Sequence, residues 1–543
     1  MADADVVVVG SGAGGGAAAY ALTRAGLRVT VLEKGRQHTS TDFTHDEVGT
    51  LRRDFFVPSI ADEPHTIVKQ GRPAERTRDG WISCCVGGGT VHMSGFFFRM
   101  HREDMKLRSR FGSIAGGDIA DWPIEWKQLE PFYEEVETII GISGDATSNP
   151  FEPHRAPYPM GPLLAHPSST LIEDACRRLS LHPFPTPRAI LSADYQGRSA
   201  CRYCGHCGGY GCEVGAKSST LVSFLAHAQA TRRLTLIPRA MATRVLTNPD
   251  GSARGVLYLD ERGAMHEESA RVVILACSAI ETARLLLMSE LGNSSGLVGR
   301  HLMFASYTGG RGRFPASSPH FPDAARALPF LDRSVQDHYT SVNAGLPHPK
   351  CGTLIFSLPW PSPILHAERL AHPTADGPPL FGSALTRRWK EYFLETRTIE
   401  WEGIGEFIPN ESTRITLDPE VKDRFGLPVA RIGLGIHPAT LAASDHLARS
   451  ADEIMDSAGA TARETDTEDR AYTVLQAGTA RMGRNRTTSV VDENCQSHDV
   501  RNLYVADASS FPSSSGAPFT QTIMANALRV AGQIAARGRA GSL

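Results

Sequence analysis

Residues 6–35 constrain the fold of this chain more than any other segment. Val6 to Val9 is an unbroken β-branched run, the pattern of a strand buried on both faces. Gly10-Ser-Gly12-Ala-Gly14-Gly15-Gly16 follows, then an Ala-rich helical stretch from about Ala17 to Ala25 that stops at Gly26. Leu27 to Leu32 reads as the next strand and delivers Glu33, 18 residues after Gly15. Strand, glycine turn, helix, second strand and acid, in that order, make a dinucleotide-binding unit. Gly10 permits the tight turn, Gly12 lets the backbone approach a pyrophosphate, and Gly15 lets the helix pack close to the strand. Ser11, Ala13 and Gly14 complete the loop. The helix N-terminus presents N–H groups and a positive dipole end to phosphates. Glu33, followed by Lys34, is placed to accept hydrogen bonds from an adenosine ribose, and an acid there disfavours a 2′-phosphate. The unit implies a dinucleotide without choosing between FAD and NAD.

Strand-then-helix patterns recur at Val272–Cys277 with Ala279–Met288, closed by Gly292, and at Leu503–Ala506 with a helix from about Thr522 to Arg537. Between them the texture changes. Residues 125–190 are Pro-rich with short helices, such as Ser168–Leu179, where Ser169 and Glu173 are suited to cap the start. Residues 315–470 alternate strand patterns with Pro-rich loops. At 543 residues, two domains are expected. The expected architecture is α/β, a Rossmann-like binding domain from residues 1–124, 191–314 and 471–543. An inserted α+β substrate domain takes residues 125–190 and 315–470. A formal net charge of −3 gives no electrostatic reason for nucleic acid or an anionic membrane as partner. No apolar run is long enough to span a bilayer, and the first strand begins behind a short acidic leader, so the cytoplasm is the expected compartment.

Five further segments resemble the glucose–methanol–choline (GMC) family of FAD-dependent oxidoreductases. They are Cys84–Arg99, Ala276–Leu287 (with Ser278 where a glycine is usual), Pro409–Asp418, Gly478-Thr-Ala-Arg-Met-Gly483 and Asn502–Ala508. The resemblance implies FAD, with flavin-side contacts from Gly88, Gly89, Thr90, His92, Met93 and Ser94. It further implies cofactor contacts from Ala242, Asp507, Ala508, Thr520 and Gln521, with Asp507 bonding the ribityl–phosphate region. His92 stands where similar pyranose oxidases bond a histidine covalently to flavin; both that bond and simple packing beside the flavin are open. The implied activity is oxidation of a CH–OH group, with hydride passing to flavin N5 and electrons leaving to oxygen or a redox acceptor. The branch it looks like contains bacterial sugar and gluconate dehydrogenases and oxidases of aminoglycoside alcohols. The expected substrate is a sugar-like or other small alcohol.

The resemblance breaks where the chemistry should be. The family's histidine base stands three residues before the Gly-Thr of the C-terminal motif, and here that place is Leu475, followed by Gln476. Its Asn or His partner should fall near 517–518, where the chain reads Ala517-Pro518. Leucine accepts no proton and proline has no N–H to donate. His92, His498 and His206 are the histidines that could supply a base. Two other readings tolerate the loss: flavin-dependent desaturation beside a carbonyl, and a flavin-binding protein impaired in catalysis.

Two clusters remain. Cys201-x2-Cys204-x2-Cys207-x4-Cys212 is close to an iron–sulfur ligand run and to a compact zinc knot. A reduced Cys- and Gly-rich packing loop, with Lys217 structural, is the favoured reading. Glu400, Glu402 and Glu406 would share one face of a strand. Facing a cleft they suit a cationic substrate such as an amino sugar; facing water, the commoner arrangement, they are a solvated surface.

Overall fold

The Val6–Val9 run lies at the centre of a parallel sheet, as its composition demands. In the computed structural model, which describes residues 4–69, 71–152, 156–322, 330–372, 377–466, 471–541 and 543, the strand order is Leu234–Pro238, Val29–Glu33, Ala4–Val9, Met265–Leu275. Val6 faces Val29 on one side and Val272 on the other, and Leu503–Val505 adds in parallel beyond Met265–Leu275. The first half of Met265–Leu275 pairs instead with an antiparallel ribbon, Ala253–Leu259 and Met241–Thr247. Val6, Val7 and Val8 are fully buried, each contributing about 1.5–3 kcal/mol of burial free energy.

The first helix, Ala13–Arg24, begins four residues earlier than the alanine pattern suggests and takes in Gly14, Gly15 and Gly16. Close approach overrides glycine's poor helix propensity there. A Cβ on Gly14 would collide with the Ala506 carbonyl, and one on Gly15 with the Gly10 carbonyl. The helix Thr520–Arg539 packs along Ala13–Arg24, whose Ala17, Ala18 and Ala19 are fully buried.

A second sheet is antiparallel, in the order Ala462–Asp466, Met303–Pro315, Thr396–Gly405, Gly352–Ser357, Arg333–Val335, Phe184–Pro185, with Ala471–Ala477 also on Met303–Pro315. Two of these strands, Met303–Pro315 and Ala471–Ala477, fall in segments expected to belong to the dinucleotide unit. Three glycines, Gly309, Gly310 and Gly312, blur the alternation that would have marked the boundary. Along Thr396–Gly405, Ile399 and Trp401 face the helix Pro438–Ser457, where they pack with Leu447 and Met455. Ile404 faces the opposite way, packing with Phe98, Ala305, Ile355 and Ala517 against the first domain's loops. Glu400 and Glu402 share that second face by alternation. A third sheet joins Arg414–Lys422, Pro428–Leu434, His65–Lys69 and Glu75–Thr77.

The helix expected over Ser168–Leu179 runs Ser169–Arg178 but lacks the expected cap. Ser169 is already the first helical residue, the N-cap residue Ser168 turns its Oγ to His166 Nδ1 at 2.8 Å, and Glu173 is drawn away by the Arg333 guanidinium at 2.6 Å. Among the described residues no helix is long and apolar enough to cross a membrane.

Candidate active site

One cavity of about 470 Å³ runs from the tip of Val29–Glu33, past the glycine loop, to the inward face of the antiparallel sheet. At its first end Glu33 is tied into the loop. Glu33 Oε2 accepts from Ser11 N–H at 3.1 Å and Ser11 Oγ at 2.6 Å, and Oε1 accepts from Gly35 N–H at 2.9 Å. Ser11 Oγ in turn accepts the Gly87 N–H at 3.0 Å, joining the first glycine stretch to the second. Thr90 donates to the Gly87 carbonyl at 2.6 Å and accepts the Thr220 N–H at 3.0 Å, which pins the second stretch. Lys34 is engaged by Glu63 and lies over the Trp81 ring, 4.2 Å from its centroid.

In the middle, the helix Ala13–Arg24 opens on Gly12 with no side-chain cap and no acid in its first turn. Its free N–H groups and positive end therefore address the cavity, as a pyrophosphate requires. Asp507 closes this part. One carboxylate oxygen accepts from Ser278 N–H at 2.9 Å and Thr282 Oγ1 at 2.7 Å; the other accepts from Ser509 N–H at 2.9 Å and Ser509 Oγ. Four donors fill a carboxylate's acceptor sites. The structure thus makes Asp507 the clamp between the middle and last segments, on the wall of the cavity.

At the far end Met93, Ser94 and Phe96 meet Leu475, Gln476 and Pro518. Gln476 donates through Nε2 to the Gly80 carbonyl and to the Thr473 carbonyl, the latter at 2.9 Å, while its Oε1 is buried without a partner. That orphaned acceptor would be satisfied by an N–H or O–H of a bound molecule. Glu402 also lines this end.

The cavity wall includes Gly10, Ser11, Gly12, Ala13 and Gly14, with Glu33 and Lys34. It also includes Gly88, Gly89, Thr90, His92, Met93, Ser94, Ala242, Leu475, Gln476, Asp507, Ala508, Pro518 and Thr520. Three expected residues lie off it. Gly15 serves helix–strand packing only. Ala517 is buried with Tyr339 and Ile404. Gln521 points into the core and donates to Glu137 at 2.7 Å, because Arg99 holds that acid buried beneath the last helix. The wall also contains Arg53, Phe56 and Ile82, outside every motif, and Glu281 and Arg284, which lie within Ala276–Leu287 but were not among the expected contacts. The residues fit FAD: an elongated cavity, an uncapped helix N-terminus, a carboxylate at one end and an orphaned acceptor at the other.

Sequence models described as GMC oxidoreductase match residues 81–305 and 409–527, and one described as FAD binding domain matches residues 5–44. The chain is 30% identical to the paromamine 6'-oxidase of Streptomyces fradiae, over 98% of this chain and 91% of that one. The chain belongs to the GMC oxidoreductase family. Another relative, the gluconate 2-dehydrogenase flavoprotein of Pantoea cypripedii, is 26% identical over 94% of this chain and 90% of its own length. A solved formate oxidase shares the fold, with a TM-score of 0.66, 15% identity and 99% coverage of both chains. Like its relatives, this GMC oxidoreductase is an FAD-dependent enzyme acting on CH–OH donors.

The three histidines that sequence offered as a base fare differently. His92 lines the cavity, but its Nε2 bonds the Ile82 carbonyl at 3.1 Å and its ring stacks on Phe56, centroids 4.7 Å apart. Burial, aided by the charges of Lys217 and Arg53, pushes its imidazole down to about 3. His498 lies off the cavity wall, bonded to Ser489 Oγ at 2.9 Å and the Gly483 carbonyl at 3.1 Å. His206 also lies away from it, stacked on His45 with centroids 3.9 Å apart.

Cys201, Cys204, Cys207 and Cys212 surround a separate space of about 20 Å³, room for roughly one water rather than a cluster of irons and sulfides. Burial pushes Cys201 up to about 11 and Cys207 up to about 12, which keeps both as thiols. Lys217 donates to the Cys207 carbonyl at 2.7 Å and to the Tyr210 carbonyl, shaping the loop. Gly209 N–H then bonds the His92 carbonyl at 2.9 Å, so this loop backs the main cavity.

Proposed function

We propose that this GMC oxidoreductase oxidises an alcohol of a sugar-like substrate at the Leu475 end of the cavity. The observation that carries this reading is the composition of that end. Glu402, Ser94 and Gln476 supply polar groups, while Met93, Phe96, Leu475 and Pro518 supply apolar surface, a match for a ring with polar edges and an apolar face. FAD bound along the wall supplies the two-electron acceptor. Gln476 Oε1 accepts a hydrogen bond from the bound molecule, and the neutral His92 ring packs the site from Phe56. Leu475 and Pro518 exclude water and replace the family's proton-handling pair with an apolar wall.

A second, narrower reading gives the substrate an amine. It is favoured by the carboxyl of Glu402 on the wall and by two relatives, the paromamine 6'-oxidase and the 6'''-hydroxyparomomycin C oxidase of Streptomyces lividus, the latter 29% identical.

Anaerobic titration of the holoenzyme tests both. The panel is paromamine, gluconate, fructose, 2-methyl-1,2-propanediol and a cyclic ketone. Bleaching of the flavin bands by any of the alcohols supports the proposal, and preference for paromamine supports the narrower one. Bleaching by the ketone alone replaces it with desaturation, and a flavin that nothing reduces sinks it. Admitting air to the reduced enzyme then separates oxygen from a dedicated acceptor.

A further inference from the structure

We infer that Glu402 is the group that accepts the hydroxyl proton in this enzyme, from a strand of the inserted sheet rather than from the C-terminal motif. The inference rests on the alcohol-oxidation reading above and assigns a residue to it.

Strand register places the carboxyl. Glu402 lies opposite Ile355 in the antiparallel pair Thr396–Gly405 with Gly352–Ser357. Ile355 belongs to the small apolar cluster formed with Phe98, Ile404 and Ala517, against which Leu475 and Phe96 pack. Ile404, two residues on and on the same face, is in that cluster too. Glu402 therefore enters the cavity from beside the site where Leu475 and Pro518 stand in for the usual groups.

The carboxyl is also uncommitted. The other carboxylates of the cavity all have work: Glu33 holds Ser11 and Gly35, Asp507 holds Ser278, Thr282 and Ser509, and Glu281 holds His65 and Arg284. Among the described residues, no hydrogen bond or ion pair ties up Glu402. A half-buried carboxyl without protein partners, open to a cavity, is a costly arrangement that function explains.

The charges around it suit the task. Burial and the neighbouring Glu400 push Glu402 up to about 7, against the pull of the Arg188 guanidinium. Arg188 is itself held by Asp332 at 2.6 Å and by the Ser94 carbonyl at 2.9 Å. Glu400 is answered by Arg311 of the adjoining strand Met303–Pro315 and by Arg369. Gly352–Ser357 brings no titratable side chain, and the charged residues of Pro438–Ser457 lie on the sheet's other face. A base that titrates near neutrality is efficient; one held near 3, as His92 is, is not.

The step balances. The substrate O–H bond breaks with its proton passing to the Glu402 carboxylate, the C–H bond breaks with its electron pair passing as hydride to the oxidant FAD, and a C=O bond forms. Protonated Glu402 returns its proton to solvent as the next substrate enters.

The experiment uses wild-type, Glu402→Gln and Glu402→Asp holoenzymes, with two readouts. The first is the anaerobic rate of flavin bleaching, from about pH 5 to 9, by whichever panel alcohol reduces the wild type fastest. Glu402→Gln should keep its FAD yet reduce about 10² to 10⁴ times more slowly, without the rise centred near 7 seen in the wild type. Glu402→Asp should retain that rise at a lower rate, which also covers a Gln variant that fails to fold. Wild-type rates and an unchanged profile in Glu402→Gln would overturn the inference. The second readout needs no substrate: the absorbance of the oxidised flavin against pH. A transition near 7 in the wild type and absent from Glu402→Gln supports the assignment. The same transition in both, or none in the wild type, overturns it. A panel that leaves the wild-type flavin oxidised defeats the alcohol reading, whereas this titration still reports on the carboxyl.

Discussion

Ser11 Oγ donates to Glu33 Oε2 across 2.6 Å while accepting the Gly87 N–H at 3.0 Å. One hydroxyl thus sets the carboxylate at the first end of the cavity and the entry to the second glycine stretch together. Ser11→Ala removes a hydrogen bond to a charged group and leaves the Gly87 N–H unpaired, at about 1.5–3 kcal/mol. FAD affinity should fall by about ten- to a hundredfold; fluorescence titration of apoprotein with FAD checks it.

Ser278 adopts φ 77° and ψ 163°, a region open in practice to glycine alone. Its N–H is gripped by Asp507, which holds the strain in place. Ser278→Gly keeps that N–H and relieves the backbone, so the variant should be more stable by about 1 kcal/mol or more. Thermal or urea unfolding of the holoenzyme measures this; an unchanged or lowered midpoint would count against the strain.

Leu475 packs against the apolar group of Phe98, Ala305, Ile355, Ile404 and Ala517. An imidazole there buries a polar ring among hydrocarbon, costing about 1–3 kcal/mol, and burial would keep it neutral. With Glu402 already in place, Leu475→His should lower stability without raising alcohol turnover. A clear gain in turnover would mean that the family's histidine position still works in this pocket.

His92 spends Nε2 on the Ile82 carbonyl and its ring face on Phe56. The expected outcome is a flavin held without a covalent bond. Acid precipitation of the wild type should leave the FAD in the supernatant; yellow protein in the pellet would show the bond.

Glu406 is buried beside Asp104 and Lys350, with Oε1 accepting from Ser514 Oγ at 2.9 Å. Burial first, then the Asp104 charge, pushes it from 4.5 up to about 8. The folded state therefore binds this proton more tightly than the unfolded chain, and the stability it brings is complete below 4.5 and lost as pH rises through about 8. The melting temperature should decline across that window, and Glu406→Gln should decline less steeply; equal slopes would refute the shift.

The parallel core was legible because Val6–Val9 and Val272–Leu275 are unbroken apolar runs, each followed closely by a helical pattern, the order of a strand–helix unit. The glycine loop was legible for the same reason. Residues 50–56 carried no pattern, yet Arg53 and Phe56 reach the cavity, because a wall needs only proximity and proximity there comes from tertiary packing. Alternation showed that Glu400 and Glu402 share a face; it could not say which face met the cleft. Burial of the Trp401 side by the helix Pro438–Ser457 decides that, and the helix lies more than thirty residues away in sequence. Gln521 fails in the opposite sense: its place beside Thr520 suggested the cofactor, but one helical step turns it to Glu137.

The last helix, Thr520–Arg539, is the cover for the first, Ala13–Arg24, and Asp507 is what fastens Ser278. A ribosome delivers these pieces in the wrong order for the site. The glycine loop emerges well before its clamp and lid, so an alanine-faced helix waits uncovered until Thr520–Arg539 has been made. Truncation after the strand Leu503–Val505 would strand the chain at that stage, with the loop built and nothing to close it.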